Sequence, residues 1–199
     1  MDDSMPTNQL MAFKAYLDKI SPLSLDALGE LSRLFRPAIL KKGDFFVREG
    51  AYAKQIGFLS NGIVRSFFLS PDGKEYSKQF FVGPAIIGSY ASLITQQPNR
   101  VAQQALTDCE VMIADYHRVE ASYDQYHDLE RLARKIAEFY FVEKEQKEIE
   151  MALLDADKRY LMMRDRFPGI EAMIPQYYIA SYLGISPTQL SRIRKKLSQ

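Results

Sequence analysis

The chain has 199 residues, 47% of them apolar and 26% charged, with a formal net charge of +1. That mixture fills a globular core and excludes wholesale disorder, and the length suits one large domain or two small ones. A single cysteine, Cys109, excludes an internal disulfide, a four-thiolate iron–sulfur cluster and a zinc ribbon. Two histidines, His117 and His127, leave too little for a three-histidine site, so no metal is expected. The opening MDDSMPTNQL carries aspartates where a secretory signal carries basic residues. No apolar run approaches the roughly 18 residues of a membrane helix. The expectation is a soluble cytoplasmic protein with no membrane partner.

Residues 8–35 read as two helices. Leu10, Phe13, Leu17 and Ile20 fall at helical spacing, Ser21-Pro22 interrupts, and Leu25, Leu28, Leu31 and Leu34 resume on one side. From Ala38 the pattern becomes short apolar runs parted by turn residues: Lys42-Gly43, Glu49-Gly50, Asn61-Gly62, Pro71-Asp72-Gly73 and Gly83-Pro84. Asn-Gly and Asp-Gly supply the positive φ of tight hairpins, and Val101–Leu106 and Val111–Ala114 read as closing strands. An antiparallel β-barrel or roll of about eight strands is predicted.

Residues 117–154 contain neither proline nor glycine. Leu129, Leu132, Ile136, Phe139, Val142, Ile149 and Leu153 form an apolar stripe that predicts a long helix over about residues 128–154. Taken from Leu129 to Ala156 it is about 42 Å long, more than the width of the β domain before it. Pairing with the same helix of a second copy covers the excess, so these seven residues are the expected dimer seam. Gln146 inside the stripe makes it an imperfect coiled coil. The two histidines belong on the surface leading into this helix. Lys158–Phe167 reads as a short amphipathic helix stopped by Pro168-Gly169, and the boundary between domains falls near Leu154–Asp157, giving residues 1–154 and 155–199. The second part holds eight basic residues against four acidic ones, a net +4 that leaves −3 for the first. A small basic module on a mildly acidic body suits a nucleic-acid binder.

Ile174–Leu197, IPQYYIASYLGISPTQLSRIRKKL, carries the most specific pattern. A helix starting at Gln176 turns Ile179, Ala180 and Leu183 inward, Gly184 ends it in a tight turn, and Ile185 plugs the corner. Ser186 is a helix N-cap with Pro187 at the first helical position. Leu190, Ile193 and Leu197 form the buried side of the second helix. This is the layout of a helix-turn-helix. Its outward face presents Pro187, Thr188, Ser191, Arg192 and Lys195, with Thr188, Ser191 and Arg192 reaching base edges in the major groove of double-stranded DNA. Ser186, Gln189, Arg194, Lys195 and Lys196 are placed for phosphates.

These residues resemble the Crp/Fnr family of bacterial transcription regulators over nearly the whole chain. Lys41–Phe68, KKGDFFVREGAYAKQIGFLSNGIVRSFF, is similar to the family's cyclic-nucleotide-binding β-roll, with Gly43, Gly50 and Gly62 at its turns. The long helix is similar to the dimer helix, and Ile174–Leu197 to the DNA-binding motif. The resemblance implies an α+β fold: N-terminal helices, an antiparallel β-roll sensor, a long dimerisation helix and a C-terminal helix-turn-helix. It further implies a homodimer on a palindromic promoter site, switched by a small molecule, with RNA polymerase as a further partner.

Where nucleotide-binding members carry a phosphate cassette, this chain has Gly88–Gln103, GSYASLITQQPNRVAQ. The resemblance places the effector contacts at Gly88, Ser89, Tyr90, Arg100 and Val101. Ser89 replaces the glutamate that would hold the ribose, and Arg100 lies one step late and is followed by Val101. The expected effector is therefore an unidentified small molecule other than cyclic AMP, and Phe80 and Phe81 with Tyr90 read as pocket lining or plain barrel core. Pro187 and Thr188 stand where charged base readers would be, so the operator should differ from that of the cyclic-AMP receptor. Two residues follow Leu197, which leaves the β-hairpin wing out and shifts phosphate binding to the basic tail. The rival within this class is a constitutive regulator whose roll is a ligand-free scaffold. The remote rival, a cupin-type barrel enzyme, needs histidines inside the barrel, and residues 38–115 contain none. No enzymatic motif is found, and a non-enzyme is expected.

Overall fold

The computed structural model describes residues 7–197; the sequence readings at residues 1–6 and 198–199 lie outside them. Two helices lead, α1 (Thr7–Ile20) and α2 (Leu25–Leu34), the second capped by the Ser24 hydroxyl, which accepts from the Ala27 amide at 3.3 Å. Eight strands follow: β1 (Arg36–Leu40), β2 (Phe45–Val47), β3 (Gln55–Asn61), β4 (Ile63–Leu69), β5 (Glu75–Val82), β6 (Ala85–Ile87), β7 (Ala102–Ala105) and β8 (Cys109–Asp115). A short helix α3 (Tyr90–Thr95) interrupts them between β6 and β7. Then come α4 (Tyr116–Glu120), the long α5 (His127–Leu153), α6 (Ala156–Arg166), α7 (Ile170–Met173), α8 (Gln176–Leu183) and α9 (Pro187–Leu197). Among the described residues no helix is long and apolar enough to cross a membrane.

The strands form two four-stranded antiparallel sheets, β1-β8-β3-β6 and β2-β7-β4-β5. Asn61-Gly62 joins β3 to β4 and so links the sheets. Leu59, Val64, Ile87, Ala105 and Val111 fill the space between them. The outer face of the first sheet is covered by the leading helices, where Phe13, Leu17, Ala27 and Leu31 pack on Phe58 and Met112. The outer face of the second sheet carries Ile63 and Phe80 into a third cluster, shared with α6, α8 and α9. Phe80 therefore belongs to the core beneath the C-terminal helices. Phe81 turns the other way, toward the Tyr140 ring of α5.

The long helix corrects the expected seam. Leu129 and Leu132 are 2% and 4% exposed, buried with Phe13, Leu17 and Met112 of their own chain. Ile136 is half-buried against the same cluster, and the Tyr140 hydroxyl donates to the Ile86 carbonyl at 3.0 Å. These residues anchor α5 to its own roll. Phe139, Val142, Ile149 and Leu153 are exposed on another face, and Phe141, absent from the predicted stripe, is 66% exposed. The helices α3, α4 and α7 were not foreseen: each is six residues or fewer, too short for a periodic signal.

Gly62 is the tightest backbone site in the roll. Its φ is +105°, and a Cβ there would lie 2.6 Å from Cys109 Sγ and 2.8 Å from the Asp108 carbonyl oxygen. Gly62→Ala is expected to cost about 2–4 kcal/mol of stability, from left-handed strain added to overpacking. Urea unfolding of the purified variant measures it, and a loss below about 0.5 kcal/mol would show that the turn between β3 and β4 relaxes freely.

Candidate nucleic-acid interface

The C-terminal helices are built as their local chemistry dictates. Asp155 caps α6 by accepting from the Lys158 amide at 2.9 Å. Pro168-Gly169 stops that helix, with Gly169 left-handed at φ +78°. In α8 the residues Ile179, Ala180 and Leu183 are fully buried, and Gly184, left-handed at φ +68°, ends it. The Gly184 amide donates to the Ser181 carbonyl and the Ile185 amide to the Ala180 carbonyl, which closes the helix in a tight C-cap. Ser186 caps α9, its hydroxyl accepting from the Gln189 amide at 3.2 Å. Leu190 and Ile193 then face Ile179, Leu183, Tyr160 and Met163 in one cluster. Leu197, expected to be buried, is 38% exposed: it falls beyond the last turn that α8 covers.

On the opposite side of α9, Pro187, Thr188, Gln189, Ser191, Arg192 and Lys195 are exposed, as is the capping Ser186. The remaining cations behave differently. Arg194 is half-buried with Nε 3.3 Å from Glu171, a carboxylate that also accepts from the Tyr160 hydroxyl at 2.9 Å and lies 3.7 Å from Arg164. Lys196 pairs with Asp157 at 2.6 Å. Acids on α6 and α7 thus hold two of the four basic residues at the end of α9, whereas Arg192 and Lys195 have no carboxylate partner among the described residues. The result is an exposed polar ridge whose first two turns carry hydroxyls, an amide and one guanidinium.

Two charged contacts fix this unit to the long helix. Glu150, buried on α5, takes both Arg166 nitrogens, at 2.6 and 3.4 Å, and Arg166 also donates to the Tyr182 hydroxyl at 3.2 Å. One turn earlier, Lys147 Nζ lies 3.3 Å from the Tyr182 carbonyl oxygen and 3.3 Å from the centroid of its ring. None of these contacts was legible in the sequence, where Lys147 and Glu150 sit among ten other charged residues of the same helix.

Of the five residues named as effector contacts, two, Ser89 and Val101, meet on one buried side chain. Asn99, which sequence reading passed over, is 3% exposed. Its Oδ1 accepts from Ser89 Oγ at 2.5 Å and from the Val101 amide at 3.2 Å, while Nδ2 donates to the carbonyls of Arg48 and Val101. The Gly88 carbonyl accepts from Gln103 Nε2 at 3.1 Å. Arg100 and Tyr90 are exposed. Ser89 and Val101 are thus brought together by Asn99 and satisfied by it, with Arg100 outside the group. The Pro98-Asn99 pair, a turn signal, was the available clue. His117 and His127 are exposed near Glu120 and Glu130. Among the described residues, no group of three or more His, Cys, Asp or Glu converges as a metal site requires.

Comparison with known proteins covers both halves of the chain. The cyclic nucleotide-binding domain family matches residues 38–126. The transcriptional activator protein Anr of Pseudomonas protegens is 26% identical over 194 residues, spanning 89% of this chain and 78% of that protein. Among solved structures, FixK2 from Bradyrhizobium japonicum has a TM-score of 0.72 at 19% identity, covering 82% of this chain and 84% of that one. A crp/fnr-family protein from Eubacterium rectale also has a TM-score of 0.72, at 15% identity, covering 94% and 88%. The two structural likenesses establish the fold.

The Lys147 contact generates a pH dependence. Burial pushes its ammonium down to about 8, against the pull of Glu150 and helped by the Arg166 and Arg159 charges. The unfolded chain keeps this proton up to about pH 10, so between pH about 8 and 10 it binds more protons than the folded one and stability rises with pH. Other groups titrate there too, so the comparison is with Lys147→Met. The unfolding free energy of the unaltered protein relative to that variant is expected to grow between pH about 7.5 and 9.5; a constant difference across urea titrations would refute the burial argument.

Proposed function

Starting from a chain that is Crp/Fnr-like in sequence and fold, we propose a DNA-binding transcription regulator, not an enzyme, acting in the cytoplasm as a homodimer on a palindromic promoter site. The observation that carries the proposal is the ridge of α9. A Ser-capped, Pro-started helix projects Thr188, Ser191 and Arg192 away from a buried seam, while nearby carboxylates are occupied by Arg194 and Lys196. A guanidinium with no carboxylate partner among the described residues, flanked by hydroxyls on the first turns of a second helix, is the equipment for reading base edges in a major groove. Pro187 packs beside the readers, and Ser186, Gln189 and Lys195 serve the phosphates. In this reading Arg194 and Lys196 add field more than contact, because each is already paired.

The homodimer rests on the outward face of α5. Phe139, Val142, Ile149 and Leu153 recur at steps of three, seven and four, with Gln146 filling the long gap. Residues 1–154 then form the roll with its dimer helix and 155–199 the DNA-binding unit. RNA polymerase is the further partner expected of an activator bound at a promoter.

Two readings of the roll remain, and one observation favours the second. An effector other than cyclic AMP would engage Gly88, Ser89, Tyr90, Arg100 and Val101. Ser89 and Val101, however, already spend their hydrogen bonds on buried Asn99, which supports a roll that serves as scaffold. A bound effector raises the melting temperature by mass action; a scaffold is expected to show no shift with cyclic AMP or with a cell extract of small molecules.

Selection of bound sequences from a random DNA pool tests the main proposal. Arg192→Ala is expected to lower discrimination at one base pair per half-site by about 10- to 100-fold while the dimer persists; unchanged selectivity would remove Arg192 from base reading. Ile149→Glu is expected to give monomers in sedimentation and to weaken operator binding by about 100-fold or more, and a variant still dimeric places the seam elsewhere.

A further inference from the structure

Arg65 is the largest fully buried side chain, 1% exposed, in a strand whose sequence, IVRSFFL, otherwise reads as plain core. It alternates with Ile63 and Phe67 toward the outer face of the second sheet, beneath α8. One guanidinium nitrogen donates to Glu75 at 2.6 Å and the other terminal nitrogen to Gln104 at 3.2 Å. Its central carbon lies 3.8 Å from the ring centroids of both Phe67, on its own strand, and Tyr178, on α8. Three residues along α8, Ser181 grips the neighbouring strand. The hydroxyl accepts from the Ser77 amide at 2.8 Å and donates to the Glu75 carbonyl at 2.8 Å. β5 is the edge of its sheet, so one serine satisfies an N–H and a C=O that a further strand would otherwise take. Tyr182, next on the same face, packs on Phe80 with ring centroids 4.9 Å apart.

We infer that Arg65 is a positioning residue for DNA recognition: through Tyr178, and with the Ser181 clamp, it fixes the first helix of the helix-turn-helix on the roll and so sets where α9 is presented. The chemistry accounts for the residue type. A planar guanidinium reaches a carboxylate and an amide in its plane while its faces meet two rings, which a lysine ammonium does not reproduce. A charge pair whose guanidinium is buried while its carboxylate reaches the surface adds little net stability but tolerates few alternative geometries. Greasy contacts alone, such as Phe80 on Tyr182, permit sliding; the Arg65 fork and the Ser181 pair do not. In a dimer joined along α5, the separation of the two α9 helices then depends on this joint, and half-site spacing is the property it controls. That last step rests on the proposed homodimer and DNA binding; the fixing of α8 on the roll does not.

Two readouts separate the step from the joint. The first needs no DNA: mass-detected amide exchange compared among the unaltered protein, Arg65→Met, Arg65→Lys, Tyr178→Phe and Tyr178→Leu. Exchange over 176–197 is expected to quicken about tenfold in Arg65→Met and Tyr178→Leu, less in Arg65→Lys, and not in Tyr178→Phe, with 109–136 unchanged in all. The second is binding to paired half-sites of stepped spacing. The unaltered protein is expected to prefer one spacing by about tenfold or more, and Arg65→Met to flatten that preference while binding a single half-site within about twofold. Unchanged exchange over 176–197, or equal quickening throughout the roll, overturns the positioning role and leaves Arg65 an ordinary core residue. A spacing preference that survives Arg65→Met overturns it as well. Failure of the unaltered protein to bind any DNA refutes the function proposed above, and the exchange comparison still decides the joint.

Discussion

A helix of 27 residues cannot bury one continuous face against a roll narrower than itself, and α5 meets that constraint by changing what it touches along its length. Its first half is anchored by Leu129, Leu132 and Ile136 under the leading helices. Its second half turns polar on the same side, where Lys147 and Glu150 receive Tyr182 and Arg166. What remains apolar there faces outward. The helix is therefore a shared wall for the roll and the helix-turn-helix, with a third, apolar surface left exposed. The positions of α6, α8 and α9 all follow from how this wall is divided.

That division shows why the burial along α5 was only partly legible. Leu129 to Leu153 reads as one stripe because every step but one is three or four residues. Ile136, Phe139 and Val142, however, are linked by two successive steps of three, and each such step turns the stripe back by about 60°. After two of them the apolar residues have left the inward face. The information was present in the spacing, but its meaning depended on where the roll ends, which no local pattern states. The helix-turn-helix was legible for the opposite reason. Ala180, Gly184, Ser186 and Leu190 each obey a constraint set by their immediate neighbours: close crossing, left-handed φ, capping and burial. Leu197 was misplaced because its burial needed a partner beyond the reach of α8.

Polar residues that end up inside were the least visible of all. Asn99 and Arg65 both sit in segments that read as a surface turn and an apolar strand, and each is fixed by partners far away in sequence. Composition scores such residues as exposed, since a lone asparagine or arginine is seldom buried. Their burial is explained by the partners gathered around them: a serine, an amide and two carbonyls for Asn99; a carboxylate, an amide and two rings for Arg65, whose Nε has no partner among the described residues. The loop around Asn99 closes on itself by the same means, its polar groups meeting one another between Ser89 and Val101.

The joint between roll and helix-turn-helix combines apolar and polar contact in a way that separates strength from geometry. Phe80, Ile63 and Leu106 bury area against Phe167, Tyr182 and Leu183 and supply attraction that is indifferent to small rotations. Ser181 on Ser77 and Glu75, Arg166 on Glu150, and Arg65 on Glu75 each demand direction and distance, and each brings a desolvation cost that cancels much of its gain. An interface required only to be stable has no use for three such contacts. One that must hold α9 at a set angle to the roll does, because an angular error at α8 is carried along the helix pair to the exposed ridge. The polar contacts of this joint are better understood as a specification of angle than as a source of stability.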